Sequence, residues 1–97
     1  MRLTNHEITS IKQTIHELDS KAQIYLFGSR ADDTKKGGDI DLLILSDKIE
    51  NTLKTRIDIE IKICDLIGDQ KIDIIVAKDK HDARPIVQIA LINGVLM

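Results

Sequence analysis

The sequence predicts an α/β protein, α+β in the broader sense, in which helices pack against a small mixed β-sheet in the order αβ(α)βαβα. Three short aliphatic runs have the length and composition of strands: Gln23–Phe27, Ile40–Leu45 and residues 71–77. Longer segments with apolar residues at helical spacing precede, separate and follow these runs. At 97 residues the chain has the length of one domain, so we expect residues 1–97 to form a single unit.

The first helix is predicted over residues from about 5 to 20. Thr4 and Glu7 fit a capping box, which satisfies free backbone N–H groups at a helix start. Four apolar residues then recur at helical spacing: Ile8, Ile11, Ile15 and Leu18. The strand Gln23–Phe27 follows, and Gly28 ends it.

A polar loop joins the first strand to the second. Ser29 and Arg30 begin a turn or short helix, and Gly37 and Gly38 close the loop because glycine adopts positive φ without strain. The strand that follows, Ile40–Leu45, is apolar on both faces, which is typical of a strand that is covered on both sides.

A long second helix is predicted from the pair Asp47 and Glu50 to about Gly68. Six of its residues make a continuous apolar stripe: Ile49, Leu53, Ile57, Ile61, Cys64 and Ile67. Three more widen that stripe: Ile59, Ile63 and Leu66. A helix this apolar either packs deeply or also offers a face to a partner.

The last third of the chain predicts one more strand and one more helix. Residues 71–77 are apolar on both faces apart from Asp73. Pro85 suits the first turn of a short apolar helix over residues 86–93, which Gly94 ends.

Composition and charge exclude several classes of protein. A net charge of −2 argues against non-specific nucleic-acid binding, which needs a clustered positive surface. Cys64 is the single cysteine, so no intramolecular disulfide is expected, and its apolar neighbours predict a buried thiol in a reducing compartment. The charged first ten residues do not resemble a signal peptide, and no apolar run approaches the ~20 residues of a membrane span. We therefore expect a cytoplasmic protein that does not contact membranes.

Asp39 and Asp41 form the first half of a candidate site at the start of the second strand. They point to the same side, because side chains alternate along a strand. Two carboxylates ~4 Å apart repel by about 4 kcal/mol at an effective dielectric near 20, so a cation or a proton must relieve them. Asp73 joins them if the second and third strands are parallel, as a helical crossover requires. Mg²⁺ suits such oxygen ligands and often bridges them to phosphates.

Gly28 and Ser29 form the second half of the candidate site. Glycine lets a phosphate approach the backbone, while the Ser29 hydroxyl and the N–H groups that follow donate hydrogen bonds to it. Arg30 adds positive charge. The inferred ligand is a metal-bridged triphosphate, because ions held by three carboxylates would activate a hydroxyl and stabilise departing pyrophosphate. Asp73 is also a candidate general base for that hydroxyl.

Each of these signals has an ordinary structural explanation when it is taken alone. A Gly-Ser pair usually ends a strand, and Asp-x-Asp is more often a solvated strand end. The combination, with a third aspartate in a buried strand, favours a site. The chain has no Walker A sequence, and Gly37 and Gly38 lack the spacing of a dinucleotide-binding loop. No order of Ser, His and Asp favours a catalytic triad.

At these residues the chain resembles the minimal nucleotidyltransferases of the polymerase β-like superfamily. The motif is a Gly-Ser pair, about ten residues, and Asp-x-Asp, and here it reads LFGSRADDTKKGGDIDLLI with nine residues between Ser29 and Asp39. We interpret the difference as a one-residue shortening of the loop. The likeness continues through KIDIIV to PIVQIALINGVLM and covers most of the chain.

This resemblance implies a polymerase β-like nucleotidyltransferase fold and a role for each motif residue. Gly28 and Ser29 would bind the phosphates of the substrate ATP, with Arg30 as an auxiliary phosphate contact. Asp39, Asp41 and Asp73 would bind Mg²⁺ and act as the catalytic residues.

Single-domain members of this size are similar to the antitoxins of HEPN/MNT toxin–antitoxin pairs. The resemblance therefore implies transfer of AMP from ATP to a tyrosine hydroxyl of a partner HEPN toxin, an AMPylation that silences the toxin. The chain length agrees, because a catalytic core without an acceptor-binding domain must take its acceptor from another protein.

Two other functions and the oligomeric state remain open at this point. The chain would be a non-catalytic antitoxin if it neutralised its partner by occlusion. Nucleotidyl transfer to a small molecule such as an aminoglycoside would need a further domain or a cleft between two copies.

Overall fold

Three α-helices, four strands and one short 3-10 helix alternate along the chain, which a computed structural model describes over residues 1–97. The helices are α1 (Asn5–Leu18), α2 (Leu53–Ile67) and α3 (Pro85–Asn93), and the 3-10 helix is Gly28–Ala31. The strands are β1 (Gln23–Phe27), β2 (Ile40–Leu45), β3 (Ile72–Ala77) and β4 (Val95–Leu96). This α+β arrangement confirms the predicted fold class and element order, and it adds β4.

The four strands form one mixed sheet in the order β3-β2-β1-β4. Strands β2 and β3 are parallel, and α2 makes the crossover between them, whereas β1 runs antiparallel to both β2 and β4. The sheet therefore brings the end of β1 beside the starts of β2 and β3, as the predicted strand directions require.

The two faces of the sheet carry separate hydrophobic clusters. On one face α1 and α2 cover the larger cluster, which includes Ile11, Ile15, Ile59, Ile63, Leu42 and Ile44. On the other face Val87 and Ala90 of α3 belong to a smaller cluster that also contains Leu43 and Leu45 of β2. Because side chains alternate along a strand, Asp41 shares the α3 face with Leu43.

The start of α1 follows the predicted capping box. Thr4 Oγ1 accepts a hydrogen bond from the Glu7 amide, and the Thr4 amide donates to Glu7 Oε1. The helix ends at Leu18, a little earlier than predicted, because the Asp19 amide makes the last helical bond to Ile15.

The start of α2 was predicted wrongly. The helix is capped by Thr52, whose hydroxyl accepts from the Thr55 amide, and not by the pair Asp47 and Glu50. The hydroxyl of Ser46 accepts hydrogen bonds from the amides of Lys48 and Ile49, so the chain turns there before the helix begins.

The apolar surface of α2 divides into two opposite faces. Ile59 and Ile63 pack into the core, whereas Leu53, Ile57 and Ile61 are 65%, 43% and 53% exposed. Residues two apart on a helix point about 200° from each other, so Ile57 and Ile59 cannot both face the sheet. Part of the predicted stripe thus faces outward, and the contact of this face with a partner stays a prediction.

The C-terminal segment contains the one strand that was not predicted. Helix α3 begins at Pro85 and ends before Gly94, close to the prediction, and the two residues of β4 then pair with Tyr25 and Leu26 of β1. Cys64 is half-buried, and its Sγ donates to the backbone oxygen of Gln70. No helix combines the length and the apolar character that crossing a membrane requires.

Candidate functional site

The candidate site begins where β1 ends at Gly28, which has φ +70°. A Cβ atom added there would lie 2.2 Å from Oδ2 of Asp41, far closer than two nonbonded atoms approach. Glycine is therefore required for two reasons, the left-handed backbone and the carboxylate that lies against it. The predicted approach of a ligand to this backbone would take place directly beside Asp41.

Asp41 and Asp73 are direct neighbours across the parallel pair of β2 and β3. The pKa of Asp41 is raised from 3.8 to about 6, first because burial removes water from the carboxylate and next because Asp73 repels its charge. Asp39 adds a smaller repulsion, and Lys71 opposes it. This pair has the electrostatics of a site that gains from a bound cation.

Asp39 lies one residue before β2 and does not converge on the pair. Its Oδ2 atom lies 3.5 Å from Nζ of Lys71, so a lysine and not a third carboxylate is its close partner. No group of three or more His, Cys, Asp or Glu side chains comes close enough to hold a metal ion. The structure thus brings together Asp41 and Asp73 of the three predicted ligands and leaves Asp39 at their edge.

The donor set fits a divalent cation in its chemistry. The Asp41 and Asp73 carboxylates offer hard oxygen ligands, and the Asp41 carboxylate is half-buried. Because the two carboxylates repel each other, a bound cation would favour their ionised forms. Asp39 would complete the set if its side chain turned from Lys71 toward Asp41, which already senses its charge.

Ser29 follows Gly28 in the 3-10 helix and lies against the far end of the loop. A Cβ atom on Gly38, which has φ +88°, would lie 2.0 Å from Ser29 Oγ. The Ser29 hydroxyl therefore sits at the point where the loop returns to Asp39. The loop therefore returns the chain to the predicted phosphate-binding turn just before Asp39.

Arg30 makes hydrogen bonds that were not predicted. Its Nε donates to the backbone oxygen of Gly38, Nη1 to that of Arg2, and Nη2 to Oε1 of Gln70. These partners belong to the loop, to the segment before α1 and to the α2–β3 connection. The guanidinium thus holds backbone segments together, and its predicted contact with a phosphate stays a prediction.

A cleft of about 630 Å³ opens beside the Gly28 and Ser29 turn. Its other walls come from the loop and α3, and they are Phe27, Ala31, Asp32, Lys35, Ile89 and Asn93. Three of the lining residues were not predicted from the sequence: Lys35, Ile89 and Asn93. The four-residue spacing of Ile89 and Asn93, which places them on one face of α3, was the available signal.

A second cleft, of about 510 Å³, lies at the opposite ends of β2 and β3. It is lined by Ser46, Lys78 and His81 among others and contains none of the predicted site residues. We therefore assign the candidate site to the cleft at Gly28 and Ser29, next to the aspartate pair.

Comparison with known proteins agrees with this geometry. A family model described as a nucleotidyltransferase domain matches residues 8–97 and thus includes every residue of the candidate site. A comparison with curated proteins finds no match.

Proposed function

The chain belongs to the nucleotidyltransferase domain family, and we propose that it transfers AMP from ATP to a tyrosine hydroxyl of a partner HEPN toxin, as the antitoxin of that toxin. The observation that carries the proposal is the Asp41 and Asp73 pair at the Gly28 turn. Family membership supports nucleotidyl transfer in general. ATP, tyrosine and the antitoxin role follow from the resemblance to minimal nucleotidyltransferases.

Nucleotidyltransferase domains generally use a divalent metal ion, and we propose Mg²⁺ for this one. Asp41 and Asp73 would hold the ion, and Asp39 would join them after leaving Lys71. When bound, it would neutralise charge on the phosphates and on the departing pyrophosphate.

The reaction exchanges one phosphorus–oxygen bond for another. The tyrosine oxygen attacks the α-phosphorus of ATP, the bond from that phosphorus to the oxygen bridging it to the β-phosphorus breaks, and pyrophosphate leaves with that oxygen. We propose that the exposed Asp73 takes the proton of the tyrosine hydroxyl. Ser29 and the Gly28 turn would hold the phosphates in line for attack.

The surface around the cleft favours a protein as the acceptor. Ile89 lines the cleft beside Gly28, and Ile86 and Ile92 continue the same side of α3 at spacings of three residues. The three side chains are 41%, 50% and 78% exposed in chain order. An apolar surface beside a nucleotide site suits an acceptor protein better than a small polar acceptor such as an aminoglycoside.

Neutralisation by occlusion is the second candidate function, and the outward face of α2 favours it. Leu53, Ile57 and Ile61 form an exposed apolar stripe on α2, which packs on the opposite face of the sheet from the Asp41 and Asp73 pair. A partner bound there would be inhibited without any covalent change.

The two functions separate in one experiment on the partner. A candidate HEPN partner is incubated with ATP, Mg²⁺ and either the wild-type protein or the Asp41→Asn variant, and its mass and RNase activity are measured. The proposed function predicts added AMP and lost RNase activity with the wild type, and neither with the variant. Equal inhibition by both proteins, without added mass, would establish occlusion.

A further inference from the structure

Arg2 contacts the loop that contains the nucleotide-binding turn, although about 30 residues separate them in sequence. Its Nη2 atom donates to the backbone oxygens of Ser29 and Gly37, at 2.8 Å each. Its Nε donates to the oxygen of Asp32 at 3.1 Å. One half-buried side chain thus binds both ends and the middle of the loop.

Arg2 and Arg30 also bind each other through their backbones. The Arg2 amide donates to the Arg30 oxygen at 2.7 Å, and Arg30 Nη1 donates to the Arg2 oxygen at 3.1 Å. Neither guanidinium forms an ion pair with a carboxylate. Their charged donors are used on backbone oxygens, where a charge-assisted hydrogen bond is stronger than a neutral one.

We propose that Arg2 is a positioning residue that sets the spacing between Ser29 and the Asp39 and Asp41 strand, an inference that rests on the proposed function. Ser29 and Gly37 are the two ends of the loop, and Asp39 follows Gly37 after one residue. By joining them, Arg2 holds the turn that would bind the phosphates at a constant distance from the carboxylates. Reaching three oxygens from one side chain needs the planar fork of arginine, which lysine lacks.

The test compares Arg2→Gln and Arg2→Lys with Lys36→Gln, a matched control. Lys36 lies in the same loop, carries the same charge, is exposed and makes no hydrogen bond. Transfer kinetics, MgATP binding, thermal unfolding and hydrogen exchange of the amides of residues 31–38 are measured for each variant.

Arg2→Gln should lower kcat/KM by about a hundredfold, as a displacement of about 1 Å in a site does. It should also weaken MgATP binding and speed amide exchange in the loop, while Arg2→Lys falls between it and the wild type. The kcat/KM of Lys36→Gln should stay within about twofold of the wild-type value, because this substitution removes no contact.

Two results would overturn the proposal. One is a loss with Lys36→Gln as large as with Arg2→Gln, which would assign the effect to charge alone. The other is an Arg2→Gln protein that melts at a lower temperature but keeps wild-type kcat/KM and MgATP affinity below that temperature, which would make Arg2 purely structural. If the wild type transfers no nucleotide, the proposed function fails, and MgATP binding and loop exchange still decide the role of Arg2.

Discussion

Replacing Asp41 by Asn should stabilise the metal-free protein while it removes activity. The Asp41 carboxylate is half-buried beside Asp73, and its pKa of about 6 means that folding disfavours its ionised form. Asparagine keeps the shape and removes the charge, so the cost of burying that charge and its repulsion by Asp73 both disappear. A residue that destabilises the fold when it is ionised is expected at a site shaped for a ligand.

The size of this effect follows from the pKa of Asp41. Moving the pKa from 3.8 to about 6 corresponds to about 3 kcal/mol at full strength, at about 1.36 kcal/mol for each pH unit. Water screens a half-buried carboxylate, so we reduce the expected gain to about 1–2 kcal/mol. A raised pKa makes the wild type lose stability as the pH rises from about 4 to about 6. The Asn variant should therefore be as stable as the wild type near pH 4 and more stable than it above pH 6.

Urea unfolding of both proteins at pH 4 and pH 8, in the presence of a chelator, measures this gain. Asp65→Asn is the control, because Asp65 is exposed and its carboxylate makes no hydrogen bond, and it should change the free energy of unfolding by less than about 0.5 kcal/mol. An Asp41→Asn protein that is equally stable or less stable at pH 8 would refute the raised pKa of Asp41, which burial and the charge of Asp73 cause together. Added Mg²⁺ should reduce the difference in stability between Asp41→Asn and the wild type, because it stabilises the wild type alone.

Three further predictions concern other parts of the molecule. Gly28→Ala should lower the free energy of unfolding by roughly 1–3 kcal/mol, because alanine is strained in the left-handed backbone of Gly28. It should also abolish transfer by displacing Asp41, and unfolding and activity assays check the two effects. Ser46→Ala removes a 2.6 Å hydrogen bond that holds the pKa of Asp19 below its usual range. Urea unfolding should therefore find the variant less stable than the wild type at neutral pH, and this difference in stability should shrink in acid as Asp19 becomes protonated. Ile92→Ser should change the free energy of unfolding by less than about 0.5 kcal/mol, because the side chain is 78% exposed, yet it should reduce labelling of the partner if α3 receives the acceptor.

Much of the fold could be predicted because its elements carry local signals. The bounds of β1 and β2 match the prediction residue for residue, since each is a short apolar run that follows or precedes a glycine-containing turn. The neighbouring positions of Asp41 and Asp73 followed from a general rule, that two strands joined by a helical crossover are parallel.

One missed feature depends on contacts between distant residues, and the other depends on a local competition between two side chains. Strand β4 is two residues long, too short for any periodicity, and exists because β1 offers it an edge. The start of α2 depended on whether Asp47 or the Ser46 hydroxyl would capture the free amides, and Ser46 does.

The residues at the centre of the candidate site could be predicted because they belong to a sequence motif. The residues that surround them could not, because Arg2 and Lys35 come from polar segments that have no recognisable pattern. Arg30 was predicted as an auxiliary phosphate contact from its charge and from the resemblance. Neither signal indicates the hydrogen bonds that its guanidinium makes to backbone oxygens and to Gln70.

Transfer of label from ATP distinguishes nucleotidyl transfer from other reactions at the Asp41 and Asp73 pair. The protein is incubated with Mg²⁺ and the proposed HEPN partner, once with ATP labelled at the α-phosphorus and once with ATP labelled at the γ-phosphorus. Nucleotidyl transfer at the Asp41 and Asp73 pair predicts that only the α-label enters the partner, that pyrophosphate is released, and that Asp41→Asn lowers the rate by about a hundredfold or more. Entry of the γ-label, or α-labelling that survives the loss of Asp41, would rule out nucleotidyl transfer at this pair.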